Sequence, residues 1–242
     1  MAVSAMCPDE RARSLRVLTL SDEVVKFIYS PAVRERFADV DLIIGCGDLP
    51  HWYLEYVVSV LNRPLFFVRG NHTCVTEYTE TGERTVEHGG VNLHRRVVRY
   101  RGLLLAGVEG SVRYKRGLFQ YTQAEMWGHV LHLVPALLRN RLSYGRYLDV
   151  FITHAPPWGI HDQPDPAHRG IKAFRWLVRT FRPAVHFHGH SHVYRPDTAT
   201  ETVFHATRVI NTYPYLETEL ELPAARFALR VIAGSREERS MR

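Results

Sequence analysis

The stretch VDLIIGCGD, residues 40–48, decides the fold class of this chain. Its run of branched apolar residues is typical of a strand buried on both faces, and the turn that follows it ends in Asp48. The segments RVLTLSD (16–22) and PLFFVRGNH (64–72) repeat this arrangement on either side. Helix-like segments separate the three strands, so the chain alternates strand and helix as a parallel βαβ sheet does. The sequence therefore predicts an α/β fold.

The rest of the chain continues the α/β pattern. Further strands, rich in branched and aromatic residues, are predicted at residues 91–100, 103–108, 148–153, 184–188, 203–210 and 227–232. Helices are predicted at residues 31–38, 51–61, 122–141 and 170–181. Pro135 is expected to break or kink the third of these helices. No internal repeat, low-complexity tract or linker divides the sequence, so we predict one domain over residues 1–242.

The composition is that of a soluble globular protein. With 242 residues, 45% of them hydrophobic and 23% charged, the chain can bury a sizeable core and does not fit disorder, collagen or coiled coil. No apolar run reaches the roughly 18 to 20 residues that cross a bilayer, and the start of the chain lacks a secretory signal. Three cysteines without CxxC spacing, Cys7, Cys46 and Cys74, predict neither disulfides nor a thiolate zinc site. We therefore expect a cytoplasmic protein.

Polar side chains that can bind metal follow five of the predicted strands directly. They are Asp22, Asp48, Asn71 with His72, His154, and His190 with His192. In open α/β sheets, ligands bind at the carboxyl ends of the strands. Carboxylate and amide oxygens mixed with imidazole nitrogens suit Mn, Fe or Zn and disfavour an all-oxygen calcium site or a thiolate site. Each residue alone has a structural explanation as a helix cap, a turn or a buried histidine, but their joint occurrence favours a metal centre.

The order of these motifs resembles that of the calcineurin-like metallophosphoesterases, whose pattern is DxH, GD, GNH, a later histidine and GHxH. Here the corresponding segments read DEV (22–24), GD (47–48), GNH (70–72), TH (153–154) and GHSH (189–192). The resemblance extends from residue 16 to about residue 212. It implies a four-layer α/β/β/α sandwich with mixed sheets and with metal ions at the mouth between the sheets.

The resemblance also implies a role for each residue. The implied metal ligands are Asp22, Asp48, Asn71, His154, His190 and His192. Asp48 is implied to bridge two divalent ions, of which one is completed by Asp22 and His192 and the other by the rest of the set. His72 is implied to be a catalytic residue, either as general acid or as a stabiliser of charge on the phosphate. The implied function is hydrolysis of phosphoric esters, with phosphodiesters favoured over monoesters, through attack of a metal-bound hydroxide on phosphorus.

The chain departs from the family pattern at two positions. Val24 stands where the DxH histidine is found, and Thr73 replaces the acidic residue that usually follows GNH. The loss of the histidine leaves one ion with three protein ligands, so we expect that ion to bind weakly and Mn or Fe to be preferred over a tight Zn pair. Glu23 is expected to point away from the site, because side chains alternate along an extended segment.

The loop after His154 is expected to overhang the metal centre, because it follows a strand that carries a ligand. Candidates for substrate contacts in this loop are His161, Asp162, His168 and Arg169. Ordinary loop polarity explains these side chains equally well. The apolar segment 127–142 is expected to lie in the core, with a dimer contact or a substrate cap as the sharper alternative. Residues 213–215 (YPY) are expected to form an edge or a turn rather than a platform for base stacking.

The formal charge of +6 has an uneven origin. Residues 93–146 hold ten Lys or Arg residues against two Glu residues. This surplus indicates an anionic partner or substrate, or else scattered solvated arginines. Two other functions therefore stay open. One is nuclease action on DNA or RNA, although the sequence has no recognisable nucleic-acid module, and the other is a non-catalytic interaction scaffold built on the same fold.

Overall fold

The computed structural model describes residues 14–80, 82–85, 89–195 and 197–222. Strands and helices alternate through most of this part of the chain. In chain order, the elements are β1 (Ser14–Leu20), α1 (Ala32–Arg36), β2 (Leu42–Gly45), α2 (His51–Leu61), β3 (Leu65–Phe67), β4 (Glu77–Thr79), β5 (Gly82–Arg84), β6 (Gly90–Asn92), β7 (Arg96–Tyr100), β8 (Leu103–Val108), β9 (Ser111–Val112), β10 (Gln120–Tyr121), α3 (Gln123–Tyr144), β11 (Val150–Thr153), α4 (Lys172–Phe181), β12 (Val185–His188), β13 (Glu201–Phe204), β14 (Thr207–Asn211) and β15 (Tyr215–Glu221).

Two mixed sheets form the centre of the molecule. The first sheet has the strand order β15-β1-β2-β3-β6, in which β15 is antiparallel to β1 and the other neighbours are parallel. The second sheet has the order β13-β14-β12-β11-β8-β7, with antiparallel pairs at its two edges. The prediction of mixed sheets in an α/β fold is confirmed.

Alternating side chains along the strands build three apolar layers. In β2, Leu42 and Ile44 lie in a buried cluster that both sheets share, whereas Ile43 lies in a second cluster formed with α1 and α2. In β11, Ile152 belongs to the shared cluster, and Phe151 packs on the opposite face against Phe174 of α4 at a ring-centroid distance of 5.5 Å. The layers therefore follow the order helix, sheet, sheet, helix, and the predicted four-layer sandwich is confirmed.

Two of the predicted strands are each divided in the structure. The segment 91–100 was predicted as one strand, but it contributes β6 to the first sheet and β7 to the second. Arg95, with φ of +57°, turns the chain between the two sheets. The segment 203–210 is likewise an antiparallel hairpin of β13 and β14 that turns at His205, with φ of +56°. Both single-strand predictions are wrong, because an apolar run does not reveal a turn made by a non-glycine residue.

Helix α3 is continuous, so the break predicted at Pro135 is absent. It begins with a capping box, in which the Thr122 hydroxyl accepts a hydrogen bond from the Glu125 amide at 3.2 Å and the Glu125 carboxylate accepts one from the Thr122 amide at 2.6 Å. The helix then runs through Pro135 without a break. Leu131, whose carbonyl loses its partner to the proline, is exposed, so water can replace the lost hydrogen bond.

Three further features complete the account of the fold. Strand β15 lies in a segment for which no strand was predicted, and its first residue belongs to the predicted edge or turn at 213–215. The strand predicted at 227–232 lies outside the described residues. Among the described residues, no helix combines the length and the apolar character needed to span a membrane.

Candidate metal centre

Strand ends from both sheets supply the candidate ligands at one edge of the sandwich. Asp22 and Asp48 follow β1 and β2, and His190 follows β12. All three residues have positive φ, at 64°, 55° and 68° respectively. For residues other than glycine, this conformation costs about 1 to 3 kcal/mol each. Hydrogen bonds maintain this conformation here. The His190 amide donates to the Asp22 carboxylate at 2.9 Å, and the Asp22 amide donates to the Gly47 carbonyl at 3.0 Å.

The compact ligand group consists of Asp48, His154 and His190, with Asn71 beside it. One ligand atom from each of the first three residues lies within 4.8 Å of the others. The Nε2 atom of His154 lies 3.1 Å from an Asp48 carboxylate oxygen, 3.0 Å from the Asn71 side-chain oxygen and 3.1 Å from Nδ1 of His190. Four of the predicted ligands are therefore brought together by the structure.

Hydrogen bonds to backbone carbonyls determine which ring nitrogen of His154 and of His190 presents a lone pair to the centre. Nδ1 of His154 donates to the Cys46 carbonyl at 2.9 Å, and Nε2 of His190 donates to the Ala167 carbonyl at 2.7 Å. A carbonyl can only accept, so the opposite nitrogen of each neutral ring presents a lone pair. Two lone pairs, a carboxylate and an amide oxygen converge on one point, and such a convergence requires a positive charge. A divalent ion with nitrogen and oxygen ligands fits this donor set.

The pKa values of the compact group reflect the same requirement. Burial raises the pKa of Asp48, but the charges and hydrogen bonds of His154 and His72 outweigh burial and bring it to about 2. Burial lowers the pKa of His154, yet the carboxylates of Asp48 and Asp22 outweigh it and raise that pKa to about 9. Burial and the charge of His154 together lower the pKa of His190 to about 4. A proton on His154 therefore satisfies the carboxylate when no ion is bound.

The second candidate group, Asp22 and His192, is less complete. Nε2 of His192 lies 3.6 Å from one oxygen of Asp22, and the other oxygen accepts hydrogen bonds from the Ser21 hydroxyl and the His190 amide. The Asp22 side chain is only 3% exposed, whereas that of His192 is 40% exposed. The ring of His192 stacks on Tyr213 at a centroid distance of 4.6 Å.

The residues around the altered DxH motif do not supply a further ligand. Val24 packs against the apolar cluster between α1, α2 and the first sheet. The Glu23 carboxylate accepts a hydrogen bond from the Tyr213 hydroxyl at 2.8 Å, and no described hydrogen bond joins it to a candidate ligand. Asp22 has a φ of +64°, so the chain is not extended there and the alternation of side chains on which the expectation for Glu23 rested does not apply. The second group therefore offers one carboxylate and one imidazole beside Asp48.

His72 lies at the exposed rim of the centre, and Tyr114 lies next to it. The His72 amide donates to an Asp48 carboxylate oxygen at 2.6 Å. The Tyr114 hydroxyl lies 3.4 Å from Nε2 of His72 and 3.4 Å from the Asn71 side-chain nitrogen. Tyr114 was not among the predicted site residues, because it comes from the connection between β9 and β10, which carries no motif. The surrounding segment RYKR (113–116) gives only a charge signal.

Thr73 and two glycines hold the ligand loops together. The Thr73 hydroxyl accepts hydrogen bonds from the Gly70 amide at 2.9 Å and the Asp48 amide at 3.3 Å, so the residue that replaces an acidic one has a structural role. A Cβ atom at Gly70 would overlap the Asp48 carboxylate, and one at Gly189 would overlap the side chain of Asp22. The loops therefore approach one another as closely as backbone allows.

The predicted substrate contacts in the loop 155–170 differ in where they lie. The His168 ring is 5.2 Å from the His190 ring between centroids, and its Nδ1 is 3.0 Å from the Asp165 carboxylate. His161 instead contacts Nε2 of His188 at 2.9 Å and the Thr202 hydroxyl at 2.9 Å. Its pKa is lowered by burial.

The other two predicted contacts do not reach the centre through any described hydrogen bond. Asp162 accepts a hydrogen bond from the Gly170 amide at 3.1 Å, which closes the end of the loop. Arg169 is exposed, and no residue of the described chain pairs with it. Of the four candidates in this loop, the structure brings His168 beside a ligand.

Comparison with known proteins agrees with this geometry. The sequence profile that describes calcineurin-like phosphoesterases matches residues 16–194. The chain belongs to the calcineurin-like phosphoesterase family. The matched region includes both ligand groups, from Asp22 to His192, and the family implies divalent metal ions at such a site.

Individual relatives of this calcineurin-like phosphoesterase are distant. It is 24% identical over 173 residues to the uncharacterized protein MJ1162 of Methanocaldococcus jannaschii, a match that covers 68% of this chain and 74% of that protein. The crystal structure of TT1561 of Thermus thermophilus superposes with a TM-score of 0.51 at 16% identity and covers 82% of this chain and 88% of that one. At this identity the structural match shows the fold alone.

Proposed function

We propose that this protein hydrolyses phosphoric esters at a metal centre and that it prefers diesters to monoesters. Family membership supports a metal-dependent phosphoesterase. The single observation that carries the proposal is the convergence of two imidazole lone pairs, the Asp48 carboxylate and the Asn71 oxygen around one point. Without an ion, the positive charge that this arrangement requires comes from a proton on His154, and a divalent ion supplies it for all four groups at once.

In this proposal, the compact group holds one divalent ion, and Asp22 and His192 hold a second, weaker ion with Asp48. We expect Mn²⁺ or Fe²⁺ to serve better than Zn²⁺, because the second group has few protein ligands. When bound, the ions lower the pKa of water and neutralise charge on the phosphate oxygens. The cysteines of the described chain, Cys46 and Cys74, are free and agree with the cytoplasmic location we propose.

His72 and Tyr114 act on the substrate from the open side of the centre. His72 is exposed, and its backbone amide donates a hydrogen bond to the Asp48 carboxylate. Its ring is proposed to donate a proton to the leaving oxygen. The Tyr114 hydroxyl, within reach of both His72 and Asn71, is proposed to donate a hydrogen bond to a phosphate oxygen.

The net charge of the substrate distinguishes the two ester classes. A phosphodiester carries one negative charge at neutral pH, whereas a monoester carries close to two. The comparison of the two ester classes below therefore tests the preference for diesters.

The decisive experiment is hydrolysis of an aryl phosphodiester and the matching monoester by protein stripped with a chelator, before and after addition of Mn²⁺, Fe²⁺ or Zn²⁺. We expect turnover to appear with metal, to be faster on the diester and to be lost in His72→Ala. The control is Arg34→Ala, an exposed position on α1. Absence of turnover with every ion, in protein that still binds metal, would overturn the proposal and favour the non-catalytic scaffold.

A further inference from the structure

A groove lined by three tryptophans and three basic side chains lies on the outer face of the second helix layer. Its lining residues, called here the tryptophan groove, are Trp127, Trp158, Lys172, Arg175, Trp176 and Arg179. The groove has a volume of about 360 Å³. It is separate from the metal ligands, and neither the family match nor the relatives assign it a role.

The basic side chains of the groove form a row along helix α4. Lys172, Arg175 and Arg179 follow one another at intervals of three and four residues, which places them on one face of the helix. From the first to the last, this row extends about 10 Å along the helix axis. Helix α4 contains no acidic residue, and within the described chain no carboxylate forms an ion pair with any of the three. The row therefore presents uncompensated positive charge.

The tryptophans lie directly beside this row and are held in place. Trp127 of α3 and Trp176 of α4 pack against each other at a centroid distance of 5.3 Å. Trp158 is 37% exposed, with the Lys172 ammonium 4.8 Å from its ring centre. The Arg175 guanidinium donates to the Trp158 carbonyl at 2.8 Å. Flat apolar rings and cationic side chains are thus fixed together on one surface.

This combination matches one chemical class of ligand. Aromatic side chains stack on nucleobases regardless of sequence, and a row of Lys and Arg follows a phosphate backbone. We propose that the tryptophan groove binds single-stranded nucleic acid, with a base against the exposed Trp158 and phosphates along Lys172 and Arg179. An acidic peptide would use mainly the charges, whereas a membrane surface would use both the charges and the tryptophan rings, so the test below includes lipid vesicles.

The groove is linked to the metal centre by the chain itself. Trp158 stands four residues after His154, and the same loop returns to place Ala167 against His190 at 2.7 Å. Helix α4 begins directly after this loop, so its basic row starts at the edge of the sandwich where the ligands lie. A bound strand therefore passes the same edge as the centre, although its binding does not depend on hydrolysis.

The test is binding of a fluorescently labelled oligothymidylate, measured by anisotropy in the presence of chelator so that no hydrolysis occurs. Lys172→Gln/Arg179→Gln is expected to weaken binding at least tenfold and to reduce the slope of log K against log salt by about 1.4. Trp158→Ala is expected to weaken binding about tenfold with little change of slope. Arg34→Gln, which removes an exposed charge from α1, is the matched control and is expected to leave binding unchanged.

Three results would overturn this inference: no binding of the oligonucleotide by the unaltered protein, equal weakening by the control, or no effect of Trp158→Ala. Inorganic polyphosphate and vesicles with anionic lipid are added as competitors. Equal competition by polyphosphate would show a surface that recognises charge alone, and equal competition by vesicles would show a membrane-binding surface. Either result contradicts the proposal. Circular dichroism of each variant separates loss of binding from loss of folding. Because the binding assay needs no metal, its outcome is independent of whether the protein proves to be a phosphoesterase.

Discussion

The two ligand groups of the metal centre are built differently although they share one edge of the sandwich. In the compact group, His154 and His190 are buried, and each has one ring nitrogen fixed by a backbone carbonyl. In the second group, His192 is 40% exposed and its ring rests on Tyr213 rather than on a backbone acceptor. The first group has its lone pairs oriented by the backbone, whereas the second holds its imidazole through side chains, with Nδ1 of His192 2.7 Å from the Tyr194 hydroxyl.

This difference shows why counting ligands in a sequence overstates what a site holds. Asp22 and His192 match the family motif as well as His154 and His190 do. One carboxylate oxygen of Asp22 already accepts hydrogen bonds from the Ser21 hydroxyl and the His190 amide, so it is less able to bind an ion. The two groups therefore differ in how their side chains are held in place, and not in the types of residue that they contain.

The largest effect is expected from removing the charge that both groups share. Asp48→Asn keeps the shape of the side chain but loses the carboxylate, so the centre should lose its ions and turnover should fall about 1,000-fold or more. Metal content after dialysis, measured by atomic emission, checks this prediction independently of activity. Asp39→Asn, at an exposed carboxylate, is the control. Full metal occupancy in Asp48→Asn would show that the compact group is not the ion site.

Tyr114 tests whether the open side of the compact group contacts the substrate. Tyr114→Phe removes a hydroxyl within 3.4 Å of His72 and Asn71. A hydrogen bond to a charged group contributes about 1.5 to 3 kcal/mol, so we expect turnover to fall roughly 10- to 100-fold. Metal content should stay unchanged, which distinguishes a substrate contact from support of the ligands. Loss of metal with unchanged turnover per ion would contradict this role.

Thr73 tests how far the compact group depends on its loop. Thr73→Val leaves the buried Gly70 and Asp48 amides without their acceptor and should lower the free energy of unfolding by about 2 kcal/mol. Thr73→Ser keeps the hydroxyl and is expected to cost less than about 1 kcal/mol. Denaturant unfolding of metal-free protein measures both. Equal stability of the two variants would mean that the hydroxyl has no structural role.

A paired histidine experiment compares the two groups directly. His190→Ala should remove the ion of the compact group, whereas His192→Ala should weaken ion binding and turnover only about tenfold, because its ring is 40% exposed and belongs to the less complete group. Isothermal titration of stripped protein with Mn²⁺ gives the number and affinity of ions in each variant. If the two variants behave alike, the contrast drawn between the groups is wrong.

The smallest effect is expected on the pH dependence of folding stability, measured at a histidine that is not among the candidate ligands. Burial, with the charges of His129 and Arg95, lowers the pKa of His94 to about 3, and this residue lies away from both ligand groups. The unfolded chain, with a histidine pKa near 6.5, binds the extra proton, so stability falls as pH drops below about 6.5 towards 3. His94→Asn should reduce this loss by about 1 kcal/mol between pH 6 and pH 5. Urea unfolding at both pH values measures it, and an unchanged pH slope would contradict the prediction.

Much of the fold follows from local pattern. The predicted helix 51–61 and strand 103–108 have the bounds found in the structure, because buried periodic runs with clear turns at their ends leave little choice. The segment 91–100 was misread, because its turn at Arg95 depends on packing between two sheets and not on glycine or proline. Positive φ at non-glycine residues is decided by tertiary contacts, which a sequence pattern does not contain.

The sequence indicated which strand ends would meet at the candidate site but not which side chains would surround it. Strand ends brought Asp48, His154 and His190 together as expected. Tyr114 and Trp158 could not be found in this way, because each comes from a connection without a motif and reaches its neighbours only through the fold. Contacts made across long sequence separations carry no local signal unless a known motif marks them.

The glycines at the ligand loops determine which mutational paths are open to this centre. At Gly70 and Gly189, even alanine would overlap the carboxylate of Asp48 or Asp22. A ligand can be exchanged one residue at a time, and the valine at position 24, where the family pattern has a histidine, is such an exchange. Replacement of either glycine has no comparable tolerated step, because even the smallest side chain would overlap a carboxylate. In related sequences, we therefore expect the ligands of the group around Asp22 to be lost first. Both glycines should be retained for as long as the ligand loops keep their present backbone conformation.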